Sequence, residues 1–364
     1  MKVALVHDWL IHFGGAERVL QELAAMFPEA PIYVGVADPS RFPAWLKSRE
    51  VIASPVSRWP WARRLYNRYL PWLAAAFENF DLSSFDLVIS TSAAVAKGVV
   101  TPVTTRHLAY VHTPMRYAWD FYHQYRTREA RGATRMLMGP VFHALRVWDR
   151  VAADRADLLV ANSWTVRERI RKHYGRLARV IYPPVDVDAF PPASSLGEYY
   201  LILSRLVPYK RVDLAIEAAN RLRFSLWVAG DGPDRRRLER LAGPTVRFLG
   251  RVDATERARL LASAQALLFP GEEDFGIVPV EAQAAGRPVI ALGRGGARET
   301  VVEGLSGVLF TEPTVDHLVA AIESSRRVRW DSEAIRAHAR RFGPERFRRA
   351  MAAAVEDCLA GRRW

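Results

Sequence analysis

Short apolar runs rich in β-branched residues recur between helix-length segments from one end of this chain to the other, and few folds accept that rhythm. They stand at Lys2–His7, Ile32–Val36, Asp86–Ser90, His107–His112, Asp157–Ala161 and Arg179–Tyr182. A second series follows at Tyr200–Ser204, Ser225–Ala229, Val246–Leu249, Ala266–Phe269, Pro288–Ala291 and Gly307–Phe310. Uninterrupted apolar runs suit strands covered on both faces, and strands alternating with helices build a mostly parallel sheet. Between the two series lies YPPVDVDAFPPASSLGEYY, Tyr182 to Tyr200, whose four prolines and lack of helical periodicity mark a linker. A length of 364 residues is more than one hydrophobic core usually serves. The expectation is therefore α/β, with two Rossmann-like doubly wound domains at residues 1–185 and 199–343, joined by a linker at 186–198.

Composition removes several function classes. Half the residues are hydrophobic and a quarter charged, which is the balance of a folded globular protein. No apolar run reaches the roughly 18 residues that cross a bilayer, and MKVALVHDW turns polar too soon for a signal peptide, so a cytoplasmic location is expected. The single cysteine, Cys358, has no partner for an internal disulfide. The net charge of +13 calls for anionic partners: a nucleotide diphosphate, a lipid-linked diphosphate or an acidic membrane surface. Its arginines are spread along the whole chain without a nucleic-acid-binding motif, so nucleic acid is not among the expected partners. There is no HExxH, paired-cysteine set, GxxxxGK[ST] loop or GxSxG elbow, and no metal is expected. Gly230-Asp231-Gly232 begins a dinucleotide fingerprint, but its third glycine is missing and Arg251 stands where an acid belongs.

In doubly wound sheets, ligands bind beyond the carboxyl ends of the strands, where loops open helices with unpaired N–H groups. The candidate chemistry falls in such loops. In GEEDFGIVPVEAQ, Glu273 ends the loop after one strand and Glu281 lies in the next helix, while Phe275, Gly276 and Ile277 can offer backbone N–H groups to an anion. A carboxylate accepts two hydrogen bonds from a vicinal diol, so Glu273 suits a sugar and Glu281 a ribose. Arg205 and Lys210, in SRLVPYK, either face a diphosphate or cap a basic helix. Gly14 and Gly15 either admit a ligand close to the backbone or serve a turn.

The ordered landmarks Gly14-Gly15, Ser204-Arg205 with Lys210, Gly230-Asp231-Gly232, Phe248-Leu249-Gly250, and a Glu-x7-Glu pair at Glu273 and Glu281 resemble the family 4 retaining glycosyltransferases of the GT-B fold. That resemblance implies two facing Rossmann-like domains with a cleft between them, the first on the acceptor side, and a C-terminal segment 344–364 packing back on the first. It implies that the second domain holds a nucleotide diphosphate sugar. Glu273 then meets the sugar, Glu281 the ribose, and Arg205 and Lys210 the diphosphate, while Gly250, Arg251 and Val252 lie by the base. No metal cofactor is required. His112 becomes a donor-sugar contact through its imidazole or its backbone carbonyl. The string HTPMRYAW around it, with Arg116 and Tyr117, is similar to bacterial mannosyltransferases that build O-antigen and exopolysaccharide units. GDP-mannose is accordingly the first donor and a UDP-sugar the second, with a polyprenyl-diphosphate-linked saccharide as acceptor. Outside this reaction stand a GT-B-fold epimerase, against which the glutamate pair argues, and a non-catalytic saccharide-binding protein.

One segment remains. RWPWARRLYNRYLPWL, Arg58 to Leu73, interleaves three tryptophans (Trp59, Trp61 and Trp72) and two tyrosines with four arginines. Such a segment either lies in a membrane interface, making the protein peripheral on the inner face of a membrane, or is a helix half-buried in its own domain.

Overall fold

A computed structural model describes residues 1–123, 133–193, 195 and 197–362. Residues 194 and 196 of the expected linker and 363–364 at the end of the C-terminal segment lie outside them. The chain divides into two compact units, one of Met1–Pro183 with Phe347–Trp364 and one of Pro184–Arg346.

The first unit is built on strands β1 (Val3–Leu10), β2 (Ile32–Ala37), β3 (Val51–Ala53), β4 (Leu87–Ser92), β5 (Arg106–Val111), β6 (Leu158–Ala161) and β7 (Arg179–Val180). Their order is β3-β2-β1-β4-β5-β6-β7, and the pairs are parallel. The sheet therefore grows to one side from β1, reverses, and grows to the other from β4. Register places Leu5 opposite Ile89 and Ile89 opposite Leu108, so these side chains share one face. Leu20 and Leu23 of the helix Gly15–Met26 cover that face, joined by Phe347, Met351 and Ala354 of the helix Pro344–Leu359. The spacing 347, 351, 354 is one stripe of a helix, which explains how the last residues of the chain belong to this core. Across the sheet, Val6, Val36 and Val88 pack with Leu73 and Phe77 of the helix Leu70–Glu78.

Buried charges fix the rim of this sheet. Asp8 accepts backbone N–H bonds from Ala93, Ala94, Val95 and Ala96, tying β1 to the turn that follows β4. The next residue, Lys97, is fully buried, donates to the carbonyl of Ala94 at 2.7 Å and pairs with buried Asp149 at 2.5 Å. Asp149 also accepts from Trp119 Nε1 at 2.8 Å and from the Tyr174 hydroxyl at 2.9 Å. One carboxylate thus joins three parts of the unit.

The second unit carries β8 (Tyr199–Leu203), β9 (Ser225–Ala229), β10 (Val246–Gly250), β11 (Leu267–Phe269), β12 (Val289–Leu292) and β13 (Gly307–Phe310) in the order β10-β9-β8-β11-β12-β13. These too pair in parallel, and growth reverses between β8 and β11. Tyr200, Ile202, Leu226, Val228, Leu268 and Ile290 form its core with the helices Val212–Leu222 and Val315–Arg326.

Arg58–Leu73 is not one helix. It runs through short helical pieces at Pro55–Arg58, Ala62–Leu65 and Tyr66–Tyr69 before the helix Leu70–Glu78, with Trp61 in the left-handed region at φ 58°. Pro60 and Pro71 each deny the backbone an N–H, which interrupts any continuous ladder.

Removing one partner of the buried pair strands the other charge, so Asp149→Ala should cost about 3–5 kcal/mol in urea unfolding. Lys97→Met should cost less, because Asp149 keeps two neutral donors. Equal midpoints for wild type and Asp149→Ala would show that the pair does not hold the rim.

Candidate active site

In the second unit two loops leave the sheet side by side at its reversal point, the position where open α/β sheets place their ligands. The β8 loop carries Ser204 and Arg205 into the turn Pro208–Lys210, and the β11 loop carries Glu273 toward the helix Ile277–Ala284. Lys210 Nζ donates to Glu273 Oε1 and joins the two loops. Arg205 is exposed and makes no ion pair among the described residues. A small pocket beneath is lined by Ser204, Lys210, Phe269, Pro270 and Gly271.

Backbone packing dictates the glycines here. A Cβ on Gly295 would lie 2.2 Å from the carbonyl oxygen of Glu273, and one on Gly296 would lie 2.3 Å from the Cα of Phe275. Gly296 N–H donates to the Glu273 carbonyl at 2.8 Å. These two glycines therefore brace the loop that presents Glu273. Gly276 caps the following helix at φ 85°, a conformation that favours glycine, and Phe275 before it is buried.

The two glutamates occupy different surroundings. Glu273 is partly exposed, at 22 % of its side chain, whereas Glu281 is fully buried with its carboxylate paired to Arg257 of the helix Ala254–Ser263. Gly250, Arg251 and Val252 close β10, at the sheet edge two strands from β11's neighbour β8. Gly250 accepts the Gly230 N–H at 2.6 Å, and Asp253 caps the next helix through the N–H of Glu256 at 2.8 Å. Among the described residues no cluster of three His, Cys, Asp or Glu side chains is arranged to hold a metal ion.

In the first unit, alternation along the strands sets a polar rim above an apolar core. His7 follows Leu5 on its face, Thr91 follows Ile89, and His112 follows Tyr110; register puts His7 opposite Thr91 and Thr91 opposite Tyr110. His7 Nδ1 bonds Thr91 Oγ1 at 2.5 Å, and His7 Nε2 stands 3.6 Å from Glu17 Oε1. Glu17 Oε2 accepts the Gly14 N–H at 2.7 Å, so the amide of the first loop glycine is already engaged. This is the backward half of a capping box, reaching from the first helical turn to the residue before it. Gly15 begins the helix itself.

His112 is buried against the Tyr110 ring, at 5.2 Å between centroids, and its Nε2 has no hydrogen-bond partner among the described residues. Burial, helped by neighbouring His7 and opposed by Glu17, lowers its pKa to about 3, so the ring is neutral near pH 7. Arg116 stacks on Phe121 at 4.3 Å and Tyr117 packs edge-on against Phe142, so both serve packing within this unit. His7, Glu17, Thr91 and Asp8 escape a motif reading. The available signals were a histidine and an aspartate inside an apolar strand and a glutamate three residues after Gly14.

Residues 13–189 match the family model described as Glycosyltransferase Family 4, and residues 191–341 match Glycosyl transferases group 1. The chain belongs to the family 4 glycosyltransferases. A D-inositol 3-phosphate glycosyltransferase of Geodermatophilus obscurus is 33% identical over 244 residues, covering 57% of this chain and 53% of that protein. A glycogen synthase of Mycobacterium tuberculosis is 34% identical over 202 residues, or 50% of this chain and 48% of its own length. The chain spans about half the length of these curated relatives. Among solved structures, Anabaena Alr3699/HepE in complex with UDP and glucose superposes with TM-score 0.72 at 21% identity, over 98% of this chain and 99% of that one. Sucrose-phosphate synthase of Thermosynechococcus elongatus gives TM-score 0.75 at 18% identity, over 99% and 100%. At such identities the likeness establishes the GT-B fold, with its two parallel-sheet Rossmann-like domains.

Within this family 4 protein the glutamates should separate by stability. Glu281→Ala leaves Arg257 facing a hole and should cost about 1–3 kcal/mol, while Glu273→Ala, at a partly exposed pair, should cost under about 1 kcal/mol. Thermal unfolding of the two variants checks this; a larger loss for Glu273→Ala contradicts the difference in burial.

Proposed function

We propose that this glycosyltransferase is a retaining hexosyltransferase that takes its sugar from a nucleotide diphosphate donor without a metal ion. The observation that carries the reading is the meeting of Lys210 and Glu273, with exposed Arg205 in the same loop, at the reversal point of the second sheet. Lys210 and Arg205 hold the diphosphate, and Glu273 accepts hydrogen bonds from hydroxyls of the sugar. The acceptor oxygen bonds to the anomeric carbon on the face from which the phosphate departs, and the acceptor proton passes to a phosphate oxygen. Negative charge grows on the leaving diphosphate, and these two cations stabilise it where a metal ion acts in other enzymes. Phe275, Gly276 and Ile277 present the start of a helix to the same anion. Gly250, Arg251 and Val252 lie by the base. Glu281 reaches the ribose once Arg257, which is itself partly exposed, swings aside.

GDP-mannose is the preferred donor, on the strength of the HTPMRYAW string that includes His112, Arg116 and Tyr117. UDP-glucose is the second reading, favoured by the likeness to HepE, whose structure has also been solved in complex with UDP-glucose. The acceptor is a polyprenyl-diphosphate-linked saccharide used in surface polysaccharide assembly. A thermal-shift panel of GDP- and UDP-sugars tests the donor, since a ligand at a hundred times its Kd stabilises the folded state by about 2.7 kcal/mol. GDP-mannose should raise the Tm most, transfer should survive EDTA, and Arg205→Ala/Lys210→Ala should lose more kcat than donor affinity. No shift with any nucleotide sugar, or loss of transfer in EDTA restored by Mg²⁺, overturns the reading.

The lipid-linked acceptor is supported by the surface of the Trp59–Trp72 segment. Trp61 and Trp72 are 68% and 55% exposed and Trp59 37%, with the Trp59, Tyr69 and Trp72 rings in mutual edge contact. Arg58, Arg63, Arg64 and Arg68 are exposed around them. Tryptophan at headgroup depth with flanking arginine is the composition of an interfacial anchor on an anionic bilayer. Among the described residues no helix is long and apolar enough to cross a membrane. The protein should sediment with anionic liposomes and be released as salt rises, because screening weakens the arginine contacts. Trp59→Ala/Trp61→Ala/Trp72→Ala should abolish sedimentation while leaving transfer to a short soluble acceptor intact; a wild type that ignores anionic liposomes at low salt removes the membrane surface from its partners.

A further inference from the structure

A chain of buried polar groups runs from the loop that presents Glu273 into the body of the second unit. The helix Ile277–Ala284 packs against a helix at Ser332–Ala339, which is followed by the turn Arg340–Phe342. Buried Arg336 docks the two helices. It donates to the carbonyl of Phe190 at 2.7 Å and to that of Ala284, at the C-terminal end of the first helix, where a cation is favoured. Beside it, His338 Nδ1 stands 2.8 Å from Gln283 Oε1, and Gln283 Nε2 donates to the Thr300 carbonyl at 2.8 Å. A carbonyl only accepts, so the Gln283 amide is fixed with its oxygen toward the histidine, and His338 must carry its proton on Nδ1. Its Nε2 is then bare, buried and without a hydrogen-bond partner among the described residues. Burial, helped by Arg341, lowers the His338 pKa, which keeps the ring neutral near pH 7.

From Thr300 the bonds continue to the site. Thr300 Oγ1 donates to the Gly296 carbonyl at 3.1 Å, and the Gly296 N–H donates to the carbonyl of Glu273 at 2.8 Å. The Phe342 ring lies 5.8 Å from that of His338 and 5.6 Å from that of Phe275. One route of hydrogen bonds and one of ring contacts thus lead from His338 to the two residues that flank Asp274. Gln283 and Thr300 are completely buried, so water does not replace a broken link, and a severed bond leaves its partner unsatisfied. We propose that His338 and Gln283 are positioning residues, holding the main chain at Glu273 and Phe275 so that the Glu273 carboxylate meets the donor sugar. Both are buried and act through the loop. Lys210 fixes Glu273 by its side chain, and this relay fixes it by its backbone. The inference rests on the glycosyltransferase reading and adds to it the source of the loop's rigidity.

The test pairs His338→Phe, which keeps an aromatic ring but loses the donor, with His338→Asn, whose side-chain N–H replaces that of Nδ1. Gln283→Met, close in volume and without an amide, stands in if His338→Phe does not fold. In full-length protein labelled with ¹⁵N-glycine, hydrogen exchange at the Gly296 amide should quicken roughly tenfold in His338→Phe. The Gly230 amide, bonded to the Gly250 carbonyl in the same unit, should exchange as in wild type. Transfer should lose about ten- to a hundredfold in kcat, while affinity for the nucleoside diphosphate alone falls by no more than about threefold. His338→Asn should return both readings toward wild type. Unchanged Gly296 exchange in a folded variant without the donor, equal quickening at Gly230, a wild-type kcat, or an Asn variant as impaired as His338→Phe overturns the proposal. A protein that binds a nucleotide sugar in the thermal-shift panel yet leaves Gly296 exchange unmoved loses this inference alone. One that binds no nucleotide sugar loses the functional reading, while exchange at Gly296 still decides whether His338 holds the loop.

Discussion

Parallel strands cannot be joined by tight turns, so each needs a crossover, and a sheet that grows first to one side and then to the other must leave a place where crossovers part. Both units have such a place, between β1 and β4 in the first and between β8 and β11 in the second. The loops that leave it carry the side chains with chemical potential. Lys210 and Glu273 flank the second reversal, and Gly14 and the turn bound by Asp8 flank the first. Where ligands can bind follows from that topological constraint before any particular side chain is considered.

The two reversal points are furnished in opposite ways. The second offers cations and the N-terminus of the helix Ile277–Ala284. The first offers a buried carboxylate, two buried histidines and a helix start whose leading amide is engaged. The second reversal point thus carries positive charge, while the first carries a buried carboxylate beside imidazoles. The sheet supplies equivalent positions; the residues placed there assign the tasks.

Much of the support lies beneath the site. Asp8 gathers four backbone N–H groups and Asp149 gathers a lysine, an indole and a phenol, so the rim of the first sheet is fixed by ionic and polar bonds over an apolar base. In the second unit Gly295 and Gly296 do comparable work by their lack of side chains, letting one loop lie against the backbone of Glu273 and Phe275. Such support costs stability when disturbed and leaves little freedom in the groups above it.

The sequence by itself determined the strand rhythm, the division into two α/β halves and the loops in which Arg205, Lys210, Glu273 and Glu281 occur. Those features are local, since apolar periodicity and glycine punctuation are written along the chain. Tertiary structure decided what each residue faces. Only folding brought His7 to Thr91 across 84 positions, Lys97 to Asp149, and Arg257 onto Glu281, and only folding showed that Arg58–Leu73 is several short turns. Burial and pairing depend on segments distant in the chain, and a charged residue reads identically in sequence whether it meets water, a ligand or a buried partner.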